Sequence, residues 1–191
     1  MQSPIIIGLI GKMGAGKSTF TKLLNQNCQD YPVGEVAFAA WIKYNIADAL
    51  GISNVDPLSN EFKGLTFNGK TVGVMLQELA THYRNVLGQD IFVDILLRQM
   101  RDVYKQIFVV SDVRFPNEAE RLKQMGAYLV RIEGPGMQLN DGRDSNHISE
   151  TFINSIPVDQ VIVNDKFDDN LLQLSESAKD VLAKLGLCAK K

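Results

Sequence analysis

The chain opens on an unbroken apolar run, Pro4-Ile-Ile-Ile-Gly-Leu-Ile10, rich in β-branched residues, which predicts a strand buried on both faces. Lys17 to Asn27 then continues as a helix. A short strand is expected over Glu35–Ala39, and apolar residues at helical spacing run from Trp41 to Leu50, with Gly51 as a stop. Positions 52–70 carry Asn, Asp, Pro and Gly so often that they read as irregular. Helical spacing returns from Thr71 to Leu87 through Val74, Met75, Leu79 and Tyr83, and a second helix is expected from Asp90 to Tyr104. A continuous apolar run, Gln106 to Ser111, ends in Asp112 and reads as a central strand. Pro116 suits the first turn of the next helix, where its missing N–H costs little, and Glu118 and Glu120 favour the positive end of its dipole. Strands follow at Tyr128–Glu133 and Gln160–Val163, and Asp168 to Leu185 forms a closing amphipathic helix. Strands alternating with helices imply an α/β fold, a parallel sheet covered on both faces. Between the last two strands, residues from about 134 to 148 are rich in Gly, Asp and Asn, too polar for core, and read as a lid.

With 191 residues the chain fits one domain of residues 1–191. Its formal charge of -2 and scattered basic residues argue against a nucleic-acid partner. Cys28 and Cys188 have no metal or redox spacing, which suits a reducing cytoplasm. The apolar start lacks a basic flank and ends at Lys12, unlike a signal peptide, and no run approaches the roughly 20 apolar residues a membrane-spanning helix needs. Neither repeats nor low-complexity segments divide the chain.

Between the first strand and first helix lies Gly11-Lys-Met-Gly-Ala-Gly-Lys-Ser18, a complete G-x-x-x-x-G-K-[ST] phosphate loop. Glycine at 11, 14 and 16 lets backbone N–H groups turn inward around phosphate oxygens. Lys17 adds positive charge, and the start of the helix favours the same anion. Ser18 supplies a hydroxyl suited to magnesium. The expected nucleotide contacts are Gly11, Gly14, Ala15, Gly16, Lys17, Ser18 and Thr19. Asp112 emerges at the carboxyl edge of the sheet, where a magnesium ligand belongs, although a helix cap or turn aspartate is the structural alternative. Arg114 suits phosphate or carboxylate by its planar charged fork; its alternative is an ion pair to a carboxylate such as Glu118.

Ser111-Asp-Val-Arg-Phe-Pro-Asn-Glu-Ala119 resembles the D-V-R-F-x-N-E-A segment of bacteriophage-type deoxynucleoside monophosphate kinases. Phe38-Ala39 with Ile42-Lys43 resembles that family's F-A-x-x-L-K segment, and Met75-Leu-Gln77 with Arg84 its L-L-Q helix and downstream arginine. His147-Ile-Ser-Glu150 and Asp159 to Asn164 are similar to its H-x-S-E signature and final strand. The resemblance implies a P-loop NTPase fold of the nucleoside monophosphate kinase type: a three-layer α/β/α sandwich, a five-stranded, mainly parallel sheet, an acceptor-binding helical region at about 39–104, and the lid.

It further implies transfer of the γ-phosphoryl group of ATP, with Mg2+, to a deoxynucleoside monophosphate in the cytoplasm, the host's for a phage protein, and leaves a homodimer open. Phosphoryl transfer asks mainly for alignment and charge neutralisation. Lys43, Arg84 and Arg114 would neutralise the acceptor phosphate, and Arg143, or Arg131 at the strand end before the lid, would act as an arginine finger on closure. Gln77 and Glu118 would read the acceptor's base or sugar, with a helix-surface position and dipole pairing as their alternatives. Asn164 falls where the adenine of ATP would rest; a simple turn is equally consistent. Phe38, Trp41 and Tyr83 would wall a base pocket or belong to the core. His147, Ser149 and Glu150 suit a helix cap at the lid hinge. Three positions depart from the family pattern: Gly73 and Gly134 stand where arginine is usual, and Ala40-Trp41 where Asp-Pro is. Other small-molecule kinases, acting on phosphomevalonate or dephospho-coenzyme A, share this architecture, and a nucleotide-dependent switch shares the loop.

Overall fold

The computed structural model describes residues 4–100, 106–134, 151–165 and 171–187. The first strand, β1 (Ile5–Ile10), leads through the phosphate loop into α1 (Lys17–Asn27) and then β2 (Val33–Val36). Helix α2 (Ala40–Ala49), a short α3 (Asn60–Gly64), the hairpin β3 (Thr66–Phe67) and β4 (Lys70–Thr71), α4 (Val72–Leu87) and α5 (Ile91–Met100) form the long excursion that follows. The chain returns as β5 (Ile107–Val113), α6 (Pro116–Gln124), β6 (Tyr128–Glu133), β7 (Gln160–Val163) and α7 (Leu172–Lys184).

Five of these strands make one sheet in the order β2-β5-β1-β6-β7, every pair parallel. Ile7 of β1 sits opposite Val109 of β5 on one side and Tyr128 of β6 on the other. Side chains alternate between the two faces, so neighbours in sequence enter different cores. Ile7, Leu9, Val109, Val130 and Ile132 pack against Phe20 and Leu24 of α1 and Ala178, Val181 and Leu182 of α7. Ile6, Ile10, Phe108, Val110 and Leu129 pack against Ile42, Phe62, Phe92, Leu96 and Leu122 on the other side. The sheet is therefore covered twice, as the apolar strands require.

Most boundaries follow the sequence pattern, and several elements differ. The strand expected over Glu35–Ala39 is Val33–Val36, because the Asp112 carboxylate takes the amides of Phe38 (2.7 Å) and Ala39 (3.1 Å) and draws them out of the ladder. Residues 52–70, read as irregular, contain α3 and a hairpin. Ser59 accepts from the Phe62 amide at 3.1 Å and caps α3. Asn68 and Gly69, with φ of 49° and 77°, make the tight turn. Strand β5 runs one residue beyond Asp112. Helices α5 and α7 are shorter than expected within the described residues. Residues 135–148 of the proposed lid, with Arg143 and His147, lie outside those residues, as do Ser149, Glu150, Lys166, Phe167 and Cys188. Cys28 is a buried free thiol, and no described helix is long and apolar enough to cross a membrane.

Asp159, just before β7, holds this half of the sheet together. It accepts from Lys123 Nζ of α6 at 2.8 Å and from the Leu129 amide of β6 at 2.7 Å. Burial works to raise its carboxyl, but the Leu129 amide and the Lys123 ammonium outweigh it and hold it below the ordinary value. A carboxyl depressed on folding stabilises above its unfolded pKa and loses that contribution as pH falls through the folded one. Asp159→Asn should therefore cost about 1 kcal/mol at neutral pH. The gap between variant and parent, followed by urea unfolding, should close in acid below the usual carboxylate range.

Candidate phosphotransfer site

Strand β1 lies where the connections diverge to either side of the sheet, and the loop that leaves it occupies the carboxyl edge where α/β proteins bind ligands. Ala15, 1% exposed, is the loop's inner contact. Its carbonyl accepts from Asn164 Nδ2 at 2.8 Å, and Asn164 is itself fixed through its amide to the Glu133 carbonyl at 2.7 Å. Gly16 caps α1 with φ 109°, and a side chain there would strike the Asn164 amide nitrogen. A Cβ on Gly134 would stand 2.7 Å from the Ala15 carbonyl oxygen and 3.1 Å from its Cα. The departure from arginine at 134 thus has a physical reason: the end of β6 packs on the loop's own backbone.

Lys17 folds over the loop and donates to the carbonyls of Gly11 (2.6 Å) and Lys12 (2.9 Å). Burial, then the charge of Arg114, pulls its pKa down to about 7; Asp112 pushes upward and Lys63 downward. Lys17 therefore senses the charges of Asp112 and Arg114, which come from a distant stretch of the sequence. Lys63 is an addition that no motif marks. Phe62, fully buried, pins α3 to the core and so sets the residue beside it.

Ser18 is exposed on the first turn of α1, and Asp112 is half-buried on β5. Magnesium bound with a nucleotide keeps several waters and takes few protein ligands. The donor set fits that role: an exposed hydroxyl, and a carboxylate whose oxygens each accept one amide and retain a lone pair. Among the described residues no cluster of three His, Cys, Asp or Glu could hold a metal unaided.

Other expected contacts lie differently. Glu118 is 1% exposed; its Oε2 accepts from the amides of Arg114 (2.9 Å) and Phe115 (3.1 Å), and its Oε1 from Arg84 Nη2 (2.9 Å). Both Glu118 oxygens thus face donors of the protein itself. Burial pushes its carboxyl up to about 7 against the pull of Arg84 and the Arg114 amide. Arg84, expected among the acceptor cations, is the partner of that carboxylate, and its guanidinium lies over the rings of Phe92 and Phe115. Arg131 donates to Glu133 at 3.1 Å and to the carbonyls of Asn154 and Ile156 at 3.3 Å, binding β6 to the chain that precedes β7. It also borders a cavity of about 290 Å³ shared with Gly11, Lys12, Glu133, Gly134 and Asn154. Lys43 and Gln77 are half-buried on α2 and α4. Phe38 is core, whereas Trp41 and Tyr83 are half-buried and meet edge to face at 5.4 Å. Gly73 is buried in the first turn of α4.

Known proteins share both the fold and the sequence. Shikimate kinase from Bacteroides thetaiotaomicron superposes with a TM-score of 0.51 at 17% identity, covering 96% of this chain and 99% of that one. TT1252 from Thermus thermophilus gives 0.53 at 19%, with the same shares covered. The fold is therefore that of the P-loop kinases. The deoxynucleotide monophosphate kinase family matches residues 70–174, more than half of the chain, and the chain belongs to that family. A protein of Acanthamoeba polyphaga mimivirus described as a deoxynucleotide monophosphate kinase is 28% identical over 183 residues, covering 85% of this chain and 89% of its own. The chain is accordingly a phosphotransferase.

A polyphosphate that replaces the loop carbonyls around Lys17 raises its pKa again, so binding should take up protons where the free lysine is largely neutral. Calorimetric titration of the magnesium nucleotide at pH 8.5, in two buffers of different ionisation enthalpy, should show that uptake. Lys17→Ala should abolish the buffer dependence.

Proposed function

We propose that the chain transfers the γ-phosphoryl group of ATP, in the presence of magnesium, to a deoxynucleoside monophosphate, yielding the diphosphate. The observation that carries this reading is the crowding of positive charge at Lys17. Burial and the cations of Arg114 and Lys63 all work against its protonation, with only Asp112 opposing them. Like charges held in mutual repulsion suit a ligand, or a pair of ligands, bearing more negative charge than one monophosphate.

In this reading the amides of Gly11 to Thr19, with Lys17, hold the donor phosphates, and Asn164 fixes the loop from behind. Ser18 and Asp112 would hold magnesium, which supplies neutralisation of charge on the transferring group. Arg114, Lys43 and Lys63 receive the acceptor phosphate, Gln77 contacts its nucleoside, and Arg143 in the lid completes the set. Arg84, Glu118 and Arg131 serve by holding backbone in place. No proton need be removed from an already ionised acceptor phosphate, so alignment and charge carry the catalysis. The continuous five-stranded sheet supports one kinase domain with its acceptor region at about 39–104 and its lid at about 134–148, acting on small molecules in the cytoplasm.

Coupled ADP formation with dGMP, dTMP, dCMP and dAMP, their ribose counterparts and phosphomevalonate tests the proposal. Turnover on at least one deoxynucleotide is expected, and magnesium-ATP consumption indifferent to all of them would overturn it. Lys17→Ala should lower kcat by about 100-fold or more while leaving the thermal midpoint within a few degrees.

A further inference from the structure

We propose that Glu118 and Arg84 form a positioning pair that aims Arg114 at the transferring phosphates, coupling the acceptor-side helix α4 to the turn between β5 and α6. The inference rests on the assignment of Arg114 to the transfer site. Glu118 binds the turn at two successive amides, Arg114 and Phe115, through one oxygen. The other oxygen is held by Arg84 from α4, which comes from a segment 34 residues away in sequence. Phe115 is gripped a second time: the centre of its ring lies 4.3 Å from the Arg84 guanidinium carbon, which also lies over the Phe92 ring of α5 at 4.7 Å. Its other neighbour is Phe152, 6.2 Å away on the chain just beyond the lid. The turn that carries Arg114 is thus clamped to the acceptor helix and packs on Phe152.

Stability alone is a poor reason for this arrangement. A buried ion pair rarely outperforms apolar residues of similar volume, and here the Arg84 Nε is buried without a hydrogen-bond partner among the described residues. What charge and fork geometry supply is direction. The guanidinium donates to one carboxylate oxygen while its carbon lies over two rings, and the other carboxylate oxygen fixes the backbone from which the Arg114 side chain departs.

The test compares Arg114→Ala, Glu118→Gln, the double variant of those two, and the uncharged pair Arg84→Met/Glu118→Gln in the acceptor-dependent kinase assay. Glu118→Gln should lower kcat roughly 10- to 100-fold and raise the acceptor KM, leaving the ATP KM within about twofold. Adding it to Arg114→Ala should cost nothing further, since one residue acts through the other. The uncharged pair, whose Met packs beside the rings, keeps the experiment usable where Glu118→Gln alone folds poorly; it should retain the thermal midpoint and still show the kinetic loss. Full turnover in a folded uncharged pair, or losses that multiply with Arg114→Ala, would overturn the proposal alone. An Arg114→Ala variant with unchanged kinetics would overturn it together with the assignment on which it rests.

Discussion

The Ala15 carbonyl is where the fold and the site meet. It is approached by Gly134 at the end of β6 and bonded by Asn164 at the end of β7, while its own residue is closed from solvent. A phosphate loop binds with backbone N–H groups, and those are useful only if their directions are fixed before the ligand arrives. Here the fixing comes from strands encoded far away in sequence. The parallel sheet brings their ends to one edge, and the lack of a side chain at Gly16 and Gly134 lets them close on the loop. The rest of the site inherits its reference frame from this contact.

Asp112 does a related job on the opposite flank. By taking the amides of Phe38 and Ala39 it ends β2 and sets where α2 begins, so the helix bearing Lys43 is registered against the strand bearing the aspartate. Its negative charge also lies in the field of Lys17 and Arg114, moderating a repulsion that would otherwise weaken the empty fold. The buried Glu118 and Arg84 then hold the next turn. Three carboxylates, Asp112, Asp159 and Glu118, each join backbone amides to another segment, and two of the three also engage a cation of a neighbouring helix.

Much of this was legible in the sequence because it is local. The apolar run of β1, the spacing of the loop and the proline that opens α6 each act over a few residues, and the structure has them where the pattern put them. The α3 cap at Ser59 and the Asn68-Gly69 turn were also legible, as side-chain and backbone chemistry of short range, but were hidden by the polar composition around them. Lys63 carried no signal at all. Its relevance depends on Phe62 being drawn into a core assembled from residues on seven other elements.

The partners of charged residues were the part that sequence could not assign. Arg114 and Glu118 are four residues apart and invite pairing, yet Glu118 takes the arginine's backbone amide and gives its other oxygen to Arg84. An arginine near a strand end reads as a phosphate ligand whether it faces solvent, a carboxylate or a pair of rings, since reach alone does not set direction. The sequence by itself determined the main alternation of strands and helices, the phosphate loop and the family. Only the tertiary structure decided which charges face the site and which support it, because electrostatic partnership depends on distance and burial, which no linear spacing encodes.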